Sequence, residues 1–197
     1  MLNLTDLNVS GAVKKAFTIL YDHWIDTRDG ASIPHKSDIN PMKIHKVLPE
    51  VAIMERIDQD TVVYRLAGTE LAERSGFDLT GFNTLETFPP NVRETISNAY
   101  IKVAKKPCAA YHKVIMSFEK GMECELECLY LPLSNDDGEA LYLIVLMFVE
   151  DKAKFNIVSL NKNIGYKIPA IEYLDIGCGA YESDVIPSHT ATIYKPR

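Results

Sequence analysis

Near the start of the chain, Val13, Phe17, Leu20 and Trp24 recur at helical spacing and form one narrow apolar stripe, while Lys14, Lys15, Thr18, Asp22 and Asp26 hold the opposite side. This predicts an amphipathic helix over about residues 10–27, with Ser10 as its cap and Asp29-Gly30 as its end. A connector with two prolines, residues 33–41, follows and leads into a short helical turn capped by Asn40. Val51–Ile57 and Thr61–Ala67 are β-rich, and Asp58-Gln59-Asp60 between them has the length and composition of a hairpin loop. Thr69 is placed to cap a helical turn that closes at Gly76, and Asp78-Leu79-Thr80-Gly81 marks another turn. Pro89-Pro90-Asn91 then opens a longer helix with Val92, Ile96, Ala99 and Val103 on one face, Lys102, Lys105 and Lys106 near its C-terminal end, and Pro107 as its stop.

Three further strands are predicted, over residues 108–118, 122–132 and 139–149. Glu119-Lys120-Gly121 reads as a three-residue hairpin loop, so Phe118 opposes Met122 and the numbers of each cross-strand pair sum to 240. One face then receives Cys108, Ala110, His112, Val114, Met116, Phe118, Met122, Cys124, Leu126, Cys128 and Tyr130. The other receives Tyr111, Lys113, Ser117, Glu123, Glu125 and Glu127, with Ile115, Leu129 and Leu131 as its large aliphatics. A slip of one residue would bury the glutamates, which fixes the register. Asn135-Asp136-Asp137-Gly138 turns the chain into the last strand, whose unbroken apolar character predicts a central place covered on both faces. Residues 151–197 have weaker periodicity and read as an ordered or partly ordered tail.

Composition narrows the function classes. The 197 residues are 47% hydrophobic and 24% charged, enough for a core that needs no disulfide or structural metal. The longest apolar run, Leu141–Val149, falls well short of the roughly 20 residues of a membrane helix, and the N-terminus has no secretory pattern, so a cytoplasmic protein is expected. A net charge of -6 argues against nucleic acid as a partner. The cysteines at 108, 124, 128 and 178 match neither a disulfide framework nor paired zinc spacing, and reduced, mostly buried thiols are expected.

The order helix, two strands, several helices, three strands is that of a PAS domain. Trp24 and Arg28, the connector Pro34–Pro41, Leu48-Pro49, Tyr64-Arg65-Leu66-Ala67-Gly68-Thr69, Asp78-Leu79-Thr80-Gly81 and Leu131-Pro132-Leu133-Ser134 resemble a family of small bacterial PAS-like proteins over about residues 20–150. The resemblance implies an α+β fold with a five-stranded antiparallel sheet and helices over one face, and a sensory or protein-interaction role with no catalytic residues to carry over. It divides the chain into an N-terminal helix (1–30), a PAS-like domain (31–150) and a C-terminal extension (151–197).

Four features carry candidate chemistry. His112 lies across from Cys128 on the apolar face that also holds Cys124, a soft ligand set for zinc or haem iron that lacks an evident fourth member; pocket lining or packing is the plainer account. A Cys-His nucleophile would need an orienting group and an oxyanion hole, and neither is visible. Leu174-Asp175-Ile176-Gly177-Cys178-Gly179 looks like the glycine loop of a methyltransferase, but Ala180-Tyr181 replaces the further glycine and no sheet follows, so a tail strand and turn is expected. Arg65 sits diagonal to Glu55 across the first hairpin, an expected ion pair, while Val62, Tyr64 and Leu66 form the more apolar face.

Two readings of function follow. In the first, helices and the inner sheet face enclose a small-molecule site lined by Tyr64, Tyr100, His112, Met116, Cys124 and Cys128, with no cofactor required by the sequence and the ligand itself unknown. In the second, the chain is a ligand-free adaptor or dimerisation module. The stripe of Val13, Phe17, Leu20 and Trp24 packs on the sheet, makes a homodimer, or does both. No output module fits in the remaining residues, so a signalling protein partner is expected, and an enzyme is not.

Overall fold

The computed structural model describes residues 4, 7–88, 90–118, 123–151 and 163–186. Helix α1 spans Gly11–Thr27, and Ser10 caps it by accepting a hydrogen bond from the Val13 amide. It ends where Asp29 and Gly30 both take positive φ, 43° and 83°. In the connector, the Asn40 side chain accepts from the Met42 amide at 3.0 Å, as its capping role requires.

Strands β1 (Val51–Arg56) and β2 (Val62–Ala67) form the first hairpin. Its pairing shifts between Ile53 and Met54, which leaves Arg65 without an opposite residue. This bulge places Leu66 opposite Ile53, on the face away from Tyr64, and Leu66 is 40% exposed. Strict alternation had grouped Leu66 with Val62 and Tyr64, and the extra residue breaks that period. Arg65 does donate to Glu55, which also accepts from the Tyr142 hydroxyl at 2.8 Å.

Helix α2 covers Thr69–Ser75. The capping position belongs to Gly68 rather than Thr69, and no side chain caps this end. A Cβ on Gly68 would lie 2.2 Å from the Pro49 carbonyl oxygen, so the chain passes the Leu48–Glu50 turn too closely for any other residue. Gly76 closes α2 at φ 76°, and a short turn over Thr84–Thr87 leads towards helix α3, Pro90–Lys105.

Strands β3 (Ala109–Phe118), β4 (Glu123–Leu133) and β5 (Tyr142–Phe148) follow. From Ala110 opposite Tyr130 to Ser117 opposite Glu123 every β3–β4 pair obeys the expected register. The turn residues 119–122 lie outside the described residues. Strand β5 is central, between β1 and β4, and Leu143–Leu146 are buried.

The sheet does not stop at five strands. Strands β6 (Asn163–Lys167), β7 (Ala170–Leu174) and β8 (Asp184–Val185) bring it to eight among the described residues. Both β6 and β7 pair antiparallel with β3, β6 along residues 115–118 and β7 along 109–112, so together they act as one interrupted strand on that edge. The interruption falls at Ile168-Pro169, where proline has no amide to offer a ladder. This explains why no strand period is legible there.

Helices cover both faces of the sheet, not one. On the inner face, α2 and α3 close a core that includes Leu71, Val92, Ile96, Ala99 and Val103. On the outer face, Val13, Phe17, Leu20 and Trp24 of α1 are all buried, against Leu129, Leu131, Leu133, Ile144 and Leu146. The Trp24 indole donates to the Pro132 carbonyl at 2.8 Å, which satisfies the one polar atom on the stripe. The α1 stripe is therefore spent on packing within the chain. Of the three outer-face glutamates, Glu123 and Glu125 are exposed, whereas Glu127 is buried and accepts from the Tyr111 hydroxyl at 2.5 Å.

Candidate functional site

The inner face gathers polar groups in a place where packing alone would call for apolar ones. Strand alternation on β3 and β4 points His112, Cys128 and Tyr130 inward, and β2 adds Tyr64. Tyr100 reaches them from α3, and Thr84 from the turn before it. His112, Tyr130 and Tyr100 make a run of tilted rings, with centroids 5.1 Å and then 5.6 Å apart. The Tyr130 hydroxyl lies 3.3 Å from Nε2 of His112, and the Thr84 hydroxyl donates to that of Tyr64 at 3.2 Å. The Tyr100 hydroxyl is buried beside those of Tyr130 and Thr84, both close enough to favour its ionised form, yet among the described residues none meets it with the geometry of a full hydrogen bond.

Electrostatically the cluster is quiet. Burial alone holds the His112 imidazole down to about 4, because it disfavours the charged imidazolium. Burial pushes the Cys128 thiol and the Tyr64 phenol up to about 12 each, and raises Tyr100 and Tyr130 as well. At neutral pH these groups are therefore uncharged. Charge enters only at the rim: the Arg74 guanidinium of α2 donates to the Met147 carbonyl at 3.0 Å, opposite Cys128, and feels the field of the buried Glu50.

Of the six residues singled out as pocket lining, Tyr64, Tyr100, His112 and Cys128 meet here. Cys124 does not. It lies four residues up β4, about 13 Å along the strand, in a small separate cluster with Val149, and half-buried Met116 bridges the two regions. The same spacing keeps His112, Cys128 and Cys124 from meeting on one ion, and among the described residues no three His, Cys, Asp or Glu side chains gather as a metal site. Sequence reasoning left out Tyr130 and Thr84. Tyr130 was legible, since it alternates with Cys128 on the inward face; Thr84 gave no signal, because only the fold of the helical segment brings it to Tyr64.

The glycine motif is a turn after β7. The Asp175 carboxylate accepts from the amides of Gly177 and Gly179, both at 2.7 Å, and these bonds hold it below the usual carboxylate range. Its glycines take φ of 112° and 80° to close that turn.

An antiparallel sheet with short helices and one longer helix over its inner face, closing on a partly polar core, defines the class of fold. The sequence model described as the PAS domain matches residues 13–148, and the chain belongs to that family, a family of sensory modules. Solved structures are similar only at a distance. The dark structure of the blue-light photoreceptor Aureochrome1 LOV matches with 11% identity, a TM-score of 0.40, and coverage of 58% of this chain and 85% of that one. A PAS domain of a protein from Colwellia psychrerythraea matches at 12% and 0.40, covering 55% and 94%. VqmA bound to DPO matches at 13% and 0.39, covering 57% of each chain. A comparison with curated proteins gave no match. Among the described residues no helix is long and apolar enough to cross a membrane.

Proposed function

We propose that this chain is a sensory module whose inner-face cluster binds a small molecule and which signals, without catalysis of its own, through a protein partner. One observation carries the reading: the Tyr100 hydroxyl is buried beside aromatic rings, and among the described residues no group meets it with the geometry of a full hydrogen bond. Leaving such a group unmade costs about 1–3 kcal/mol, and a core under selection for stability alone would hold phenylalanine there. A ligand that offers Tyr100 an acceptor removes that cost. The neutrality of His112, Cys128 and Tyr64 at pH 7 favours a ligand whose buried part is uncharged, with the Arg74 guanidinium near Cys128 as its charged neighbour at the rim.

Native mass spectrometry of freshly purified full-length protein tests the reading. A reproducible added mass, lost or strongly reduced in Tyr100→Phe, is expected. A bare chain at full occupancy of the folded state would refute ligand sensing and leave the module as a ligand-free adaptor.

A further inference from the structure

The C-terminal strands touch the cluster from two sides. Ile171 of β7 pairs directly with His112 of β3, and Tyr173 pairs with Ala110. Ile168, Ile171, Tyr173 and Ile186 are buried in the same core as Tyr64, Tyr100, Cys128 and Tyr130. The second link runs to α3. Lys102 sets its ammonium 2.6 Å and 2.8 Å from the two carboxylate oxygens of Asp184, and the Tyr173 hydroxyl donates to the same carboxylate at 2.7 Å. Lys102 also lies 5.1 Å from the ring of Tyr173, a cation held against an aromatic face. One turn on, Lys106 donates to the Ala180 carbonyl at 3.0 Å. Lys102 follows Tyr100 by two positions, about 200° round the helix, so α3 presents one residue to the cluster and the next but one to the extension.

We propose that residues 170–186 are the output element of this site, and that the Lys102–Asp184–Tyr173 lock transmits displacements of α3 to them. The inference rests on the reading of the inner face as a sensory site and names how that site is read. Three features make the extension suited to the task. It contacts both walls of the cluster, α3 through the lock and β3 through its ladder. The lock is a single carboxylate shared by two donors, Lys102 from α3 and Tyr173 from within the extension, so a shift of α3 breaks the Lys102 bond and leaves Asp184 to Tyr173 alone. The Lys102 and Asp184 side chains keep about a third of their surface in water, at 33% and 28%, so release does not strand charge in the core. The extension also reaches the outer face, where Arg28 at the end of α1 donates to the Ile176 carbonyl at 2.8 Å, which would carry the change past the sheet edge.

The test needs no ligand. Backbone amide exchange is measured on the full chain for the parent, Tyr100→Leu, which shrinks the side chain under α3 and lets the helix shift, Lys102→Met and the double variant, with β1 as the internal reference. Lys102→Met is expected to speed exchange across residues 170–186 by ten-fold or more, and Tyr100→Leu alone to change it at least three-fold, while β1 stays unchanged. In the double variant the Tyr100→Leu effect should disappear, since the lock that carries it is gone. A Tyr100→Leu variant with unaltered exchange in the extension would overturn the proposal. So would a double variant whose effect is the product of the two singles, because a merely structural lock gives independent effects. If Lys102→Met does not fold, Asp184→Asn replaces it, keeping an acceptor for Tyr173 while removing the charge. A negative result in native mass spectrometry leaves this coupling measurable, so the two failures can be told apart.

Discussion

The two faces of the sheet are built from similar amounts of apolar side chain but differ in what they do with polar atoms. Under α1, Phe17, Leu20, Trp24, Leu129, Leu131 and Leu133 pack without exposure, and the Trp24 indole has its carbonyl. On the inner face, at the same depth, lie His112, four tyrosines (Tyr64, Tyr100, Tyr130 and Tyr173) and two cysteines (Cys108 and Cys128), and among the described residues no group meets the Tyr100 hydroxyl with full hydrogen-bond geometry. The outer face also buries polar groups, Glu127 and Tyr111, but joins them to each other, whereas each buried polar atom left short of a partner adds a desolvation cost that an apolar residue would avoid. Under the proposed function the contrast separates the work of the molecule: the outer face supplies stability, and the inner face gives some of it up for the proposed site.

Three substitutions or conditions would break or sharpen that division. The largest effect belongs to the outer face. Trp24→Ala should destabilise the chain by about 3–5 kcal/mol, the cost of a large cavity plus an orphaned carbonyl, seen as a lower midpoint in urea denaturation. A loss below about 1 kcal/mol would mean that α1 is an ornament on the sheet.

The next effect belongs to the inner face and to acid. His112 is held down to about 4 by burial, against 6.5 for a free imidazole. Its contribution is complete above pH 6.5 and is lost as the pH falls from there to about 4, because the unfolded chain takes up the proton first. The loss across that window should approach about 3 kcal/mol, and His112→Phe should flatten it. An unchanged slope in His112→Phe would place the acid sensitivity elsewhere.

The smallest effect is the most telling. Tyr100→Phe removes a buried hydroxyl that no group among the described residues meets with full hydrogen-bond geometry, and should leave stability unchanged or raise it by up to about 1 kcal/mol. Calorimetry showing a loss above about 1 kcal/mol would show that this hydroxyl is a structural bond, and the inner face would lose its distinction from the outer one.

Much of this was open to a reader of the chain alone. Local period decided α1 with its Ser10 cap, the β3–β4 register, the central place of β5 and the diagonal pairing of Arg65 with Glu55. Each follows from neighbours a few residues apart or from a hairpin, where the turn sets the partner. Tertiary structure decided the rest. The Arg65 bulge turned Leu66 outward, Glu127 entered the interior because Tyr111 and Lys113 could reach it, and Cys124 stayed four residues along β4 from the cluster. The extension became strands because the β3 edge was free to pair with it, although proline interrupts its own period. The open hydroxyl of Tyr100 is of the same kind: the sequence states that a tyrosine stands there, but whether its oxygen finds a partner depends on where α3 comes to rest over β2, β3 and β4.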